Sequence, residues 1–273
     1  MTAGDRAGKS HWESTWRDAE VPHVDQVLGP SLRHHVNREL ARFLKRWLGH
    51  QAQDPRLLEL GCARSIWLPY LSTTLGYSVT GIDYSERGCE LARATLAAAS
   101  SPGQIVLADF FHPPFELLGQ FDAVVSFGVA EHFDDTAACI ASFARFLRPN
   151  GRIVTVIPNL TGLTGFLQKH LNRALYEKHV PLGAGELAAA HRAADLSVLA
   201  SGYLISSNFG ILNLEGLSVR SPTWLAKRVL LAALGRLSVL GWMAERHLPV
   251  IRVFAAYGYC VAEKTGPADS SPH

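Results

Sequence analysis

Leu57-Leu58-Glu59-Leu60-Gly61-Cys62-Ala63-Arg64-Ser65, read with Gly81-Ile82-Asp83-Tyr84-Ser85, is the part of the chain that decides the fold. The leucines form a short apolar run that stops at Gly61, the pattern of a buried parallel strand entering a turn. Glu59 is the anomaly in that run. A carboxylate inside a central strand must be paired or serve a ligand, because burying it bare costs several kcal/mol. A second run, Tyr77 to Ile82, ends in Asp83. Two strands that each finish beside a carboxylate, joined by a helical crossover, describe a βαβ nucleotide site. Ligands lie at the carboxyl ends of such strands, and an acid closing the second strand can accept both ribose hydroxyls.

This stretch resembles the class I S-adenosylmethionine (SAM)-dependent methyltransferases, whose first motif is an acidic residue followed by a Gly-rich loop. Gly61 is kept, while Ala63 and Ser65 stand where the later glycines would be. An NAD-type GxGxxG loop needs its glycines to bring a helix amino end close to a pyrophosphate. SAM has no phosphate, so the loop need only pass under its methionine part. A nicotinamide oxidoreductase is therefore the last of the readings. The resemblance implies an α/β fold: a Rossmann-like, seven-stranded, mostly parallel sheet with helices on both faces, the last strand pair antiparallel, plus a helical cap. It implies SAM as cofactor, S-adenosyl-L-homocysteine (SAH) as product, and no metal. Cofactor contacts are expected from Trp16, Glu59, Gly61, Cys62, Ala63, Asp83, Tyr84, Asp109, Phe110 and Phe127, with Asp109 on the adenine amino group.

Apolar residues make up 48% of the 273, enough for a sizeable core in one enlarged α/β domain. The formal net charge is only +2 and no dense Lys/Arg block occurs, which demotes a nucleic-acid substrate. Cys62, Cys89, Cys139 and Cys260 show no CxxC pair or metal-ligand spacing, so they read as reduced, mostly buried thiols of a cytoplasmic protein. The first residues lack the apolar stretch of a signal peptide.

Residues 1–50 are expected to form a helical lid, 51–158 the SAM-binding core and 159–195 a helical cap over the substrate. Residues 196–263 complete the sheet, with a long apolar helix within 207–250, and 264–273 are a disordered tail. Trp12 and Trp16 are four apart, hence on one helical face. This W…W…H arm is similar to that of small-molecule methyltransferases of the thiopurine type, which implies that Trp16 covers the methionine part of SAM. His34 to Leu48 carries an apolar stripe at helical spacing. Ile105 to Ala108 is a third strand, Phe121 to Phe133 supplies a fourth and the loop after it, which the resemblance implies faces the transferred methyl group, and Arg152 to Ile157 is a fifth, after an Arg148–Gly151 turn. Leu196 to Ser206 is a sixth and Ile251 to Glu263 a seventh. Trp224 to Arg246 is a long helix; its segment Leu230–Ala244 is too short and too charged to span a bilayer, which takes about 20 apolar residues. A packed cap helix or a homodimer contact is the reading preferred there to a membrane-surface anchor.

Methyl transfer is an in-line displacement that needs alignment and, for an amine or an acidic ring N–H acceptor, a base. His179, Glu131 and His132 are the candidates for that base. Asp134 and Asp135 beside Glu131 read as helix caps rather than metal ligands. Trp12, Phe166, Tyr176 and Phe209 are candidates for an aromatic acceptor pocket. A small aromatic nitrogenous molecule, methylated on carbon or nitrogen of an indole ring, is the expected acceptor, and the same pocket could present a hydroxyl or an amine. A tRNA, rRNA or protein methyltransferase, and a non-catalytic SAM-binding partner subunit, are the competing readings.

Overall fold

Leu57, Leu58 and Leu60 are wholly buried in strand β1 (Arg56–Leu60). A strand covered on both faces has no polar side to alternate with, which is why leucines occupy both of its faces and Glu59 stands out among them. The computed structural model describes residues 4–22, 24, 28–29, 31–49, 53–219, 222–244 and 249–266. In it β1 is flanked by β2 (Ser78–Asp83) and β4 (Phe121–Phe127), both parallel to it. With β3 (Gln104–Leu107), β5 (Leu147–Pro158), β6 (Leu196–Leu204) and β7 (Tyr257–Lys264) they make a seven-stranded sheet, order β3-β2-β1-β4-β5-β7-β6. Only β7 runs against its neighbours.

One face of the sheet packs on α2 (His35–Leu48), α3 (Trp67–Thr73) and α4 (Glu86–Ala98), where Leu44, Leu48, Leu68 and Leu71 meet Leu57, Val125 and Val154. The other packs on α5 (Thr136–Ala144) and α8 (Ala184–Ala193), where Ile140, Phe143 and Leu187 meet Leu58, Leu60 and Ile153. Order reverses between β1 and β4, so the chain leaves the ends of these two strands in opposite directions and opens a crevice. Over it lie α1 (Lys9–Trp16), α6 (Leu163–Leu171) and α7 (Arg173–Tyr176), with α9 (Pro222–Ala244) outside them.

Several boundaries differ from the sequence reading. The α2 segment, expected in the lid, is an integral sheet-packing helix, because its Leu40-Phe43-Leu44-Leu48 stripe matches the sheet face. The α8 segment, expected in the cap, lies on the opposite sheet face for the same reason. The seventh strand starts at Tyr257, not Ile251. Buried Asn159 donates to the carbonyls of Arg252 and Ala255, 2.7 and 3.0 Å, and folds that stretch into a turn instead. The Arg148–Gly151 turn is absorbed into β5 as an irregularity with Asn150 at φ 62°. Lys264, assigned to the tail, ends β7 and donates to the carbonyls of Ala144 and Leu147. Residues 267–273 of that tail, and Arg246 of the long helix, lie outside the described residues.

Candidate active site

The first carboxylate, Glu59, is 2% exposed on β1 and accepts the Ser65 hydroxyl at 2.8 Å. Burial pushes it up to about 8, against the Ser65 bond, and neighbouring Asp83 adds to the rise. Asp83, on adjacent β2, accepts the backbone N–H of Ala63 at 3.0 Å and of Ser85 at 2.8 Å. Burial raises it to about 6, its backbone donors opposing. Between them the chain turns at Gly61, φ 71°, where a Cβ would also sit 2.5 Å from Val129 Cγ2. Glycine is needed there on both counts.

These residues line a cavity of about 320 Å³. Trp12, Trp16, Ala63, Tyr84, Phe110 and Phe127 join them, each expected to bind cofactor or substrate. Asp5, Arg64, Ile66, Trp67, Gly128, Val129 and Phe133 also line it and were not singled out. Gly128 and Val129 lie inside the post-β4 loop to which the sequence pointed. Asp5 carried no signal, since a polar residue near a polar terminus looks ordinary until Tyr84 donates its hydroxyl to it at 2.9 Å.

Two cofactor candidates fall elsewhere. Cys62 is completely buried behind the loop, its sulfur filling the space above Gly81. Asp109 accepts the Phe111 N–H at 2.9 Å and meets the His112 ring at 3.0 Å, and it is not among the residues that line the cavity. That local turn satisfies it without a ligand.

A second chamber, of about 740 Å³, adjoins the first. Trp12, Trp16, Arg64 and His132 border both. Leu160, Thr164, Gln168, Asn172, Leu175 and His179 close one side of it, Ile211, Asn213, Glu215 and Leu217 another. Gln168 exchanges two bonds with the Asn213 backbone and Asn172 donates to the Glu215 carbonyl, clipping the two walls together. Three acceptor candidates are not part of it. Phe166 is 60% exposed beside His170. Tyr176 lies under the Lys169 ammonium. Phe209 is packed with Leu171 and Leu212. The α6 face carrying Thr164, Gln168 and Leu171 turns inward, which rotates Phe166 out.

The amino-terminal arm crosses both chambers. Trp12 and Trp16 stack at 5.8 Å, and Trp12 meets His132 edge-on at 5.0 Å. Arg6 pairs with Asp134 at 2.6 Å and donates to the His179 carbonyl at 2.8 Å, Glu13 accepts the Glu86 N–H at 2.7 Å, and Thr15 donates to Glu215 at 2.5 Å. Asp135 caps α5 through the Ala138 N–H.

The His132 and His179 rings are in contact, tilted by 45° with centroids 4.4 Å apart. Each Nδ1 meets a carbonyl, of Lys178 and of Leu175, both at 2.9 Å. A carbonyl only accepts, so each Nδ1 carries the proton and each Nε2 a lone pair. Burial, then His179, brings His132 down to about 3, and burial lowers His179. Glu131, 2% exposed, stands 4.0 Å from His132 Nε2, and its Oε2 has no partner. Burial pushes it up to about 8. Glu131 itself lies behind His132, outside both linings.

An acid-tipped crevice at the β1/β4 switch, walled by aromatic rings and opening into a second chamber, defines a nucleoside-binding enzyme of the Rossmann-like class. Residues 32–201 match the family model described as a methyltransferase domain. The chain belongs to that family, with the fold of the class I SAM-dependent methyltransferases. The nocamycin O-methyltransferase of Saccharothrix syringae is 38% identical over 122 residues, 41% of this chain and 39% of that one. The ubiquinone biosynthesis O-methyltransferase of Aromatoleum aromaticum is 35% identical over 114 residues, 39% and 46% respectively. The chain thus spans less than half the length of these relatives. Geranyl diphosphate C-methyltransferase from Streptomyces coelicolor, solved with Mg2+, geranyl diphosphate and SAH, superposes with a TM-score of 0.61 at 14% identity, covering 94% of this chain and 97% of that one.

Proposed function

We propose that the chain transfers the methyl group of SAM to a hydroxyl oxygen of a small, ring-bearing molecule held in the larger chamber. The observation that carries this is the shared wall: Trp12, Trp16, Arg64 and His132 border both cavities, so donor and acceptor would meet at these side chains. The smaller cavity suits SAM, whose ammonium and sulfonium charges match a crevice with two buried acids and stacked indole faces. Glu59 balances the ammonium, Asp83 accepts from the ribose, and Phe110 and Tyr84 flank the base.

SAM supplies an electrophilic methyl group and departs as a neutral thioether. His132 takes the hydroxyl proton on Nε2 while the acceptor oxygen gains the methyl carbon. His132 replaces His179 as first candidate because only His132 borders both chambers. Burial works against the resulting imidazolium, and Glu131, 4.0 Å away and itself raised to about 8, offsets that charge only once it gives up its own proton. Glu131 is thus a positioning and charge-balancing residue, and His179 holds the His132 ring. The arm, as a lid, excludes water.

The chamber's size falls in the ~300–1,000 Å³ range of small-molecule sites. A hydroxyl acceptor is favoured by the O-methyltransferase names of the sequence relatives. The test is isotopic SAM with a panel of phenols, alcohols, indoles and amines, read by mass spectrometry. Label is expected on oxygen; label on an indole or amine would restore the nitrogenous acceptor. His132→Gln should lower kcat about 100-fold while SAH affinity stays unchanged. Tight SAH binding with no labelled product from any substrate would make the chain a non-catalytic SAM-binding subunit.

A further inference from the structure

Helix α9 is covered on one side only. Lys227, Leu231, Leu234 and Ser238, at three- and four-residue spacing, face the protein: Leu231 and Leu234 pack on Leu171, Phe209 and Leu212, and Ser238 accepts the Phe209 N–H. On the other side Leu225, Val229, Leu230, Leu237, Leu240 and Met243 are 45–63% exposed. Ile251, Val253 and Phe254, in the turn before β7, are exposed as well. Leucines on both sides of a helix normally mean that both sides are buried. This fold buries half of it and leaves a large apolar face in water, the mark of an interaction surface.

The charges nearby say what covers it. Among the described residues of 217–262 there are four basic side chains, Lys227 turned toward the protein and Arg228, Arg236 and Arg252, and no acid, in a chain whose net charge is only +2. Arg228, Arg236 and Arg252 are exposed. A second copy docked on the same face would oppose cation to cation, since a two-fold contact pairs a patch with itself. An anionic lipid surface takes both features at once, acyl chains for the leucines and phosphates for the arginines. No described helix is long and apolar enough to cross a membrane.

We propose that α9 is an interfacial helix that lies on an anionic bilayer, with the Leu225–Met243 face among the acyl chains. This reverses the preference for a cap helix or dimer contact, and stands whether or not the acceptor is a hydroxyl. Through Phe209 and Leu212 the helix supports the segment that supplies Ile211, Asn213 and Glu215 to the larger chamber. The bilayer would thus lie one helix layer from the acceptor.

The test is flotation of the full chain with phosphatidylcholine vesicles, with and without about 30% phosphatidylglycerol, at ~0.1 and ~0.5 M salt. Binding is expected only with phosphatidylglycerol, and weaker at the higher salt. The double variants Leu237→Ser/Leu240→Ser and Arg228→Glu/Arg236→Glu should each lose about tenfold in partitioning while keeping SAH affinity, which reports the fold. No flotation, or equal flotation on phosphatidylcholine alone, would overturn the proposal. So would light scattering that finds a dimer dissociated by Leu237→Ser/Leu240→Ser, which would give the face to a second copy.

Discussion

A carboxyl group walled off from water keeps its proton until a cation replaces the lost hydration. Glu59, pushed up to about 8, is mostly protonated at neutral pH, and Asp83, at about 6, mostly ionised. With the ammonium of SAH placed beside Glu59 as proposed, the charged form of both is favoured and binding is expected to expel protons. Two outcomes follow. SAH affinity rises from pH 6 to 8, and calorimetry in buffers of different ionisation heat shows proton release near pH 7 that Glu59→Gln abolishes. Proton uptake, or an affinity falling over that range, would mean the ammonium lies elsewhere. Asp83→Ala should weaken SAH about tenfold or more. Asp83→Asn should weaken it less, because its amide oxygen can still accept from Ala63 or Ser85.

Ala63 occupies a motif glycine's place, and the element that permits this is α4. A Cβ added to Gly88, in the first turn of that helix, would lie 2.7 Å from the Ala63 methyl. The glycine missing from the loop has in effect moved to the helix packed on it. Gly88→Ala should cost about 1–3 kcal/mol in urea unfolding, although alanine is intrinsically the better helix former by ~1 kcal/mol. Ala63→Gly in the same chain should restore most of that loss; independent, additive effects would show that the two do not touch. The sequence reading saw the substitution at Ala63 but not its partner, since 25 residues separate a contact that only the crossover creates. Strand ends were legible for the opposite reason. An apolar run and an acid lie side by side in the chain, and β1, β2 and β3 followed from them. In the cap, the aromatic residues suggested a lining, but the direction of each ring depends on which face of α6 packs inward. The larger chamber was therefore built from Leu160, Gln168, Asn172 and Glu215, none of which carried a signal.

Across the whole molecule, buried acids and buried histidines set opposite pH dependences. Glu59 and Glu131, both raised to about 8, bind protons in the folded chain that the unfolded chain has already released above its ordinary value of 4.5. Their contribution is complete below that value and is lost as pH rises through 8. His132, lowered to about 3, and His191, lowered to about 4 by burial between Thr155 and the Leu187 carbonyl, behave the other way. Theirs is complete above 6.5 and is lost as pH falls toward 4 and 3. Between pH 5 and 6.5 the two sets oppose each other and stability changes little. From 6.5 to 8 the histidines are neutral in both states, and only the acids act. Ligand-free protein should therefore lose on the order of 1 kcal/mol per acid over that interval, measured by urea unfolding. Glu59→Gln, which can still accept from Ser65, should remove one share of the decline, and Glu131→Gln the other. Saturating SAH should remove the Glu59 share by ionising it beforehand, and leave that of Glu131. A decline that SAH leaves intact would detach Glu59 from the cofactor.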